Sequence, residues 1–587
     1  MNTKKRTRSL CLLLCAALML TACAKVEYAS YELTPNEYLM GEDGREVYSP
    51  AGGGAQLTAE DIQRMNGDKA HLVFNDAGYL TFLNGKFSDQ KIEDHEDAVA
   101  ALNGVATLLG LGAGSEFFAK YGGKDDDGYT YYTFQQRYGD MTVLNGTLKV
   151  VVDPEGYTAG LSCSFTPNMG IAEDVGRITP EQAVDVIKST YSELELTYYP
   201  EYTAEVAFTY QTVVYSAYAV YTNNPDMTKS FDIAYYEHFV SFDGEYLYSV
   251  PVASPTTKNA EVYQAEAYFE GLEPATYSGD VLLYDGSVWH IDVPIAYNPA
   301  DGLYYLCDLE RRIMVADYYA FAFQSRTLTF ITSTDGESFM NNHLITYANY
   351  IRAYDFYNGL GITSVDDFGT PILVCVGYCD ENKVPVNNAC HFGIIDGWAC
   401  FASSDAYTYS EALDVIAHEY THGVTRYALS GSCYQNATGA INEAYSDIMG
   451  NICEMLSGAT RDTQWLLAEN TGEVLRSMSA PNDYYQPVSL SDPYYMPPTE
   501  TPTMDNDLGG VHINSSLLSS VAYKICAAGM SLADAASLWA TTIELITPLS
   551  EYEEVYAALL MSLEINGFDE GYQQVVTDAF NDAELLG

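Results

Sequence analysis

The pentapeptide His418-Glu419-Tyr420-Thr421-His422 constrains this chain more than any other feature. On a helix, His418 and His422 are four residues apart, so both imidazoles leave one face and can hold a single Zn²⁺. Glu419 is offset far enough to act on a water beside that metal. Taken alone, the same residues also fit two surface histidines on an amphipathic helix. The flanking sequence argues against that reading. About twenty residues on, Gly439-Ala440-Ile441-Asn442-Glu443-Ala444-Tyr445-Ser446-Asp447 puts Glu443 and Asp447 on one face of a second helix. Two histidines and one carboxylate leave a fourth zinc position for water, as catalytic rather than structural zinc requires. Asn442 and Asp447 are then placed to accept hydrogen bonds from the remaining ring nitrogens.

Further along the chain come Tyr434-Gln435-Asn436, Leu475-Arg476-Ser477-Met478 and Asp507-Leu508-Gly509-Gly510-Val511-His512-Ile513-Asn514-Ser515. With Asp414 to Thr425 and Gly439 to Ile448 they make five separated motifs, in an order that resembles the thermolysin (bacillolysin, neutral protease) family. The resemblance covers about Ser278 to the C-terminus. It implies His418, His422 and Glu443 as zinc ligands, Glu419 as general base, and Tyr434 and His512 as transition-state stabilisers. It also implies Asp507 orienting His512, Arg476 contacting the substrate backbone, and Asn388 with Ala389 hydrogen-bonding an extended peptide. Val415 and Leu475 match positions lining the pocket for the residue after the scissile bond, which implies large hydrophobic side chains there. Asp414, Glu454 and Glu469 match acidic ligands of a calcium site near the cleft. Gln464 and Leu466 stand where the family commonly has acids, so the expectation is at least one Ca²⁺ rather than a two-ion site. Cys390-His391 follows Ala389 where aromatic residues are usual, and Trp398 to Asp405 lacks the usual Gly-Asp repeat.

The remainder of the chain reads as a precursor. Lys4, Lys5, Arg6 and Arg8 precede an apolar run from Leu10 to Leu20, an export signal too short to be a permanent membrane span. Leu20-Thr21-Ala22-Cys23 resembles a bacterial lipobox, which implies cleavage before Cys23 and lipidation of its thiol. Phe134 to Gly156, followed by Ile178-Thr179-Pro180-Glu181-Gln182-Ala183-Val184, resembles the FTP and PepSY propeptide modules that precede thermolysin-like catalytic domains. The resulting division is 1–22 signal peptide, 23–56 linker, 57–196 FTP/PepSY-like propeptide and 197–274 second propeptide part. A catalytic N-terminal lobe with the zinc helix follows at 275–430, then a helical C-terminal lobe at 431–587. The expected fold class is α+β and multidomain: an α+β propeptide, then a β-rich lobe and a mainly α-helical lobe with a cleft between them.

Local patterns fill in this outline. Asp94 to Leu109 and Asn342 to Gly359 have helical periodicity, and Thr130 to Ser164 alternates like a hairpin with a turn at Asp153-Pro154-Glu155-Gly156. Thr179, Pro180 and Gln182 compose a capping box that opens a helix. Helices are expected at 409–428, 438–456, 515–528, 531–545 and 550–565, with a Pro- and Tyr-rich loop from Tyr484 to Thr503.

Charge excludes one class of function. With 27 Lys+Arg against 80 Asp+Glu, the formal net charge is -53, a field that repels phosphate backbones. Cys375, Cys379, Cys390 and Cys400 lack paired C-x-x-C knuckles and read as disulfides or buried thiols. The expected partners are protein or peptide substrates and the chain's own propeptide, with no nucleic acid. Membrane contact is expected only through the lipid anchor of an extracellular, surface-attached monomer. An uncleaved surface-anchored binding protein and a zinc aminopeptidase remain open as alternatives.

Overall fold

The computed structural model describes residues 47–48, 55–111, 115–125, 127–139, 141–164, 176–192, 196–198, 203–210, 213–223, 235–251, 264–323, 328–380, 382–386, 388–395, 398–404, 409–429, 433–458, 465–472, 474–499, 502 and 504–586. The signal, Cys23, Asn387 and Gln464 lie outside these residues, as does most of the 23–56 linker.

The N-terminal part is built on a twelve-stranded sheet, mostly antiparallel. The alternating stretch from Thr130 folds as three strands, Thr130–Tyr138, Met141–Val152 and Thr158–Ser164. The second and third join at the expected turn, where Gly156 adopts φ 89° and the Tyr157 N–H reaches Asp153 Oδ1 at 2.8 Å. Helix α1 (Pro180–Thr190) begins with the expected capping box: Thr179 Oγ1 accepts from the Gln182 N–H, and Gln182 Oε1 accepts from the Thr179 N–H.

The catalytic half follows a short helix, α2 (Gln264–Ala267), and includes the paired strands β1 (Glu273–Leu282) and β2 (Val288–Asn298). Its five-stranded sheet comprises β3 (Cys307–Asp308), β4 (Ile313–Asp317), β5 (Ile372–Val376), β6 (Ala389–Ile395) and β7 (Trp398–Ser403). The strand order is β3-β4-β5-β7-β6, which leaves β6 at the edge. Helix α3 (Asn341–Gly359) and helix α4 (Leu413–Ala428) pack on one face, where Phe401 stacks on Tyr420 and Tyr420 on Tyr357. Beyond them lie α5 (Asn436–Ser457), α6 (Asp507–Ala527), α7 (Leu532–Leu545), α8 (Tyr552–Ile565) and α9 (Gly571–Asp582). The last of these, α9, was not among the expected helices; its buried stripe is short, Val576, Ala579 and Phe580 within little more than one turn.

Two differences from the sequence reading stand out. A helix was expected to start near 515 after Asp507 to Gly510; regular helical geometry in α6 begins at Val511, preceded by a left-handed turn in which Asp507, Leu508, Gly509 and Gly510 all have positive φ. The boundary expected between 274 and 275 falls inside β1, which runs through it without a break. The nine described cysteines are free thiols and most are buried.

The N-terminal sheet docks onto the C-terminal helices. Val73, Phe82 and Val151 join the same buried cluster as residues of α5, α7 and α8. Thr81 donates to Glu554 at 2.6 Å, and the buried Lys149 ammonium donates to the carbonyls of Glu544 (2.8 Å) and Ala428 (3.2 Å), near the C-terminal ends of α7 and α4.

Candidate metal centre and active site

Helices α4 and α5 cross closely because small residues let them. A Cβ on Gly450 would come 2.5 Å from the Asp414 carbonyl and 3.1 Å from the His418 nitrogen. That approach carries Glu443 to the histidine face of α4. His418 Nε2 and His422 Nε2 lie 3.1 Å apart, and Glu443 oxygens lie 3.5 Å and 3.2 Å from them. Zinc donors at about 2.0–2.1 Å and tetrahedral angles would be roughly 3.3 Å apart, so the two ring nitrogens and the Glu443 carboxylate fit one ion. They form one of two clusters among the described residues whose ligand atoms all lie within 4.8 Å of one another.

The surroundings orient the rings. Asn442 Oδ1 lies 2.7 Å from His422 Nδ1, and Ser446 Oγ lies 3.1 Å from the same nitrogen. An Asn442 oxygen accepting there fixes Nδ1 as the protonated nitrogen and turns Nε2 to the centre. Asp447 Oδ1 comes to 3.0 Å from His418 Nδ1 without the alignment of a hydrogen bond. Ser446 was within a quoted motif but not singled out; its place at i+3 from Glu443 was the available signal.

A second group approaches from α6. The kink at Leu508 to Gly510 lets Asp507 fold back, so that Oδ2 accepts from the His512 and Ile513 N–H groups at 2.9 and 3.1 Å while Oδ1 meets His512 Nδ1 at 2.5 Å. Gly509 and Gly510 are needed there. Both have positive φ, and a Cβ would strike Asn436 at 2.0 Å and Met496 at 2.6 Å. Tyr434 OH lies 3.3 Å from His512 Nε2 and also donates to Glu443. Gln486 Nε2 donates to the His512 carbonyl at 2.8 Å; it comes from the Pro- and Tyr-rich loop, where nothing in the sequence pointed to it. Arg476 Nη1 donates to Glu443 at 3.1 Å and its Nε lies 3.4 Å from Asp447.

Electrostatics follow from this crowding. Burial pushes His418 below the usual histidine range. It opposes the charge on His422 too, but Glu443 outweighs it and raises the pKa. Burial likewise disfavours the Glu443 carboxylate, yet His512, His422 and His418 hold it well below the usual range. The surroundings of His512 oppose its charge, but Glu443 and Asp507 raise it to about 9.

Asp414, Glu454 and Glu469 form the second cluster. Asp414 takes the Val415 N–H at 2.8 Å and the Ala468 N–H at 2.5 Å, and Glu454 takes Asn470 Nδ2 at 2.9 Å. Burial and mutual repulsion raise both Asp414 and Glu454. Hard oxygen donors that repel one another in this way suit a cation such as Ca²⁺. Leu466 sits nearby in a short strand, half-buried and without charge.

The expected substrate-side residues are distributed unevenly. Asn388 directly precedes edge strand β6, and its carbonyl accepts from the Ser404 N–H at 3.1 Å. Val415 is buried with Ala389, Tyr409, Ala412 and Ala468, whereas Leu475 is 45% exposed. His391 turns from β6 towards α4, its ring 4.8 Å from that of Phe401.

Comparison with known proteins agrees with this geometry. Three family models match: a Fungalysin/Thermolysin Propeptide Motif at 124–160, a thermolysin metallopeptidase catalytic domain at 286–426 and a thermolysin metallopeptidase alpha-helical domain at 430–585. The chain is 26% identical over 489 residues to a thermolysin of Bacillus sp. strain EA1, covering 78% of this chain and 84% of that one. It is 24% identical over 488 residues to an extracellular elastase of Staphylococcus epidermidis, covering 78% and 85%. A solved precursor of protealysin, a metalloproteinase from Serratia proteamaculans, matches at 23% identity and TM-score 0.37 over 44% of this chain and 84% of that one. Two models of one peptidase family in adjacent register, behind that family's propeptide motif, assign the chain: it belongs to the thermolysin family of zinc metalloendopeptidases.

Proposed function

We propose that the protein is made as an exported precursor and that its catalytic unit cuts peptide bonds within chains on the N-terminal side of large hydrophobic residues. The observation that carries this reading is the meeting of His418, His422 and Glu443 at ligand spacing, with Tyr434 and His512 beside Glu443. When bound, zinc supplies the Lewis acidity that makes water a nucleophile near neutral pH. Glu419, next to His418 on α4, would take a proton from a water in the cleft and return it to the leaving amine. The Tyr434 hydroxyl and His512 Nε2 donate to the carbonyl oxygen as it gains negative charge, and Asp507 holds the imidazole in place for this. Arg476, fixed by Glu443 and Asp447, offers its remaining donors to a substrate carbonyl. Ala389, at the start of an edge strand, offers backbone groups for an extended peptide to pair with, and Asn388 beside it offers its side-chain amide.

Val415 beside Ala389, together with Leu475, favours an apolar side chain after the scissile bond. Asp414, Glu454 and Glu469 would hold at least one Ca²⁺ and tie the start of α4 to the end of α5 and the loop at 469. The N-terminal part, packed on α4, α7 and α8, acts as a propeptide that is cut away. Export and lipidation at Cys23 rest on the N-terminal sequence, and among the described residues no helix is long and apolar enough to cross a membrane.

Hydrolysis of N-terminally blocked peptides tests the central part. Cleavage of a blocked peptide before an internal Leu or Phe, lost on zinc removal, is expected. Release of single residues from unblocked peptides only would point to the aminopeptidase reading.

A further inference from the structure

Residues 264–272 are fastened to the catalytic sheet. Ala265 is fully buried in the layer that covers the face of the five-stranded sheet opposite α3 and α4, together with Cys307, Met314 and Trp398. Phe269 and Leu272 pack on the same layer. The Phe269 ring lies 5.5 Å from Trp398, and Tyr268 lies 5.9 Å from Trp398 and 5.2 Å from Phe330. Glu266 pairs with Arg312, which in turn donates to the Gly369 carbonyl at 2.8 Å. Immediately afterwards β1 pairs with β2 continuously from Glu273↔Tyr297 to Leu282↔Val288.

This attachment bears on the substrate strand. Trp398 opens β7, and β7 pairs along its length with β6, from Ile395↔Trp398 to Ala389↔Ser403. Cys390 and Phe392 of β6 lie in the same buried layer as Ala265. Residues 264–272 therefore press on the back of the hairpin whose free edge begins at Ala389. Without them, apolar surface on Trp398 and Met314 would face water, and the edge strand would lose its backing.

We propose that residues 264–272 stay with the catalytic unit when the propeptide is removed, as a wedge that positions the β6–β7 hairpin, so that the propeptide ends N-terminal to Gln264. The inference deepens the precursor reading and relies on it for the removal step. The wedge itself can be tested separately.

Brief digestion of the full-length Glu419→Gln protein with a broad-specificity protease, followed by intact mass measurement of the C-terminal product, reads the boundary without self-cleavage. A product beginning at or before Gln264 is expected. A product beginning between Ala265 and Leu282 that keeps the same melting temperature would overturn the wedge. In the active wild-type protein, Phe269→Ala should raise KM by roughly threefold to tenfold while kcat changes less than about twofold, since the wedge holds the strand and touches no reacting group. An unchanged KM would also overturn the proposal. If the wild-type chain never shortens itself, the precursor reading fails, while the digest still decides where the wedge belongs.

Discussion

The two halves of the molecule differ in how they bury charge. In the N-terminal half the buried polar groups are mainly neutral, and one group of them pairs internally. The ring of His238 sits between Thr222 Oγ1 at 2.9 Å and Tyr246 OH at 3.1 Å, and Tyr191 OH joins Tyr246 at 2.9 Å and Ser249 at 3.2 Å. Gln135 donates to the carbonyls of Val143 and Gly146. The catalytic half also buries many neutral groups, but it adds concentrated charge: Glu443 and Asp447, with half-buried Arg476, around one cluster, and Asp414 and Glu454 in the other. A neutral hydrogen-bonded network needs no ion, whereas a knot of buried carboxylates does. The difference teaches which half depends on metal. Lys120, Lys149 and Glu237 are buried charges of the N-terminal half, and Lys149 is the informative one, because it points across to helix ends of the catalytic half.

Four measurements break or sharpen this contrast. The largest effect is expected from Glu443→Gln, which removes a zinc donor and should lower kcat/KM by at least about 10³-fold, leaving the N-terminal sheet folded. Assay on a blocked peptide beside circular dichroism checks both halves of that statement. Next comes calcium. Calorimetry at neutral pH should show the catalytic half losing about 4 kcal/mol on chelation, compared with calcium a thousandfold above its Kd. Glu454→Gln should abolish that dependence. An equal chelation effect on the N-terminal half would erase the contrast.

The third is acid sensitivity. Burial pushes His238 down to about 4 from 6.5. Above pH 6.5 both folded and unfolded states are neutral and the stability is fully present. As pH falls further, the unfolded chain binds a proton that the folded one resists, so about 3 kcal/mol is lost down to about pH 4. Melting curves across that range should show the loss in the N-terminal half, and His238→Gln should flatten it. The smallest effect is expected from Tyr434→Phe: kcat lowered by roughly 10- to 100-fold with KM little changed, because the hydroxyl acts on developing charge.

Much of the site was legible because helical spacing is rigid. His418 and His422 must share a face, and Glu443 with Asp447 must share another, so the sequence alone predicts two facing helices. What it could not show was their approach, which depends on Gly450 fitting against the Asp414 carbonyl. Asp507 and His512 were legible only as a motif; their contact requires the positive φ values at Leu508 to Gly510, a backbone feature that glycine permits but does not announce. Gln486 was invisible because long-range side-chain bonds from an irregular loop leave no periodic trace. In the fold, capping residues at Thr179 and the turn at Asp153 were read correctly, being local. The anchoring of Ala265 and Phe269 to Trp398 left no local trace, since it spans more than a hundred residues.

Zinc content and peptide hydrolysis measured together on Glu419→Gln protein test the central claim most directly. The account predicts one zinc per chain, as in the wild type, and no hydrolysis of casein. A purified Glu419→Gln protein that still hydrolyses casein, or that holds no zinc while the wild type does, would contradict it.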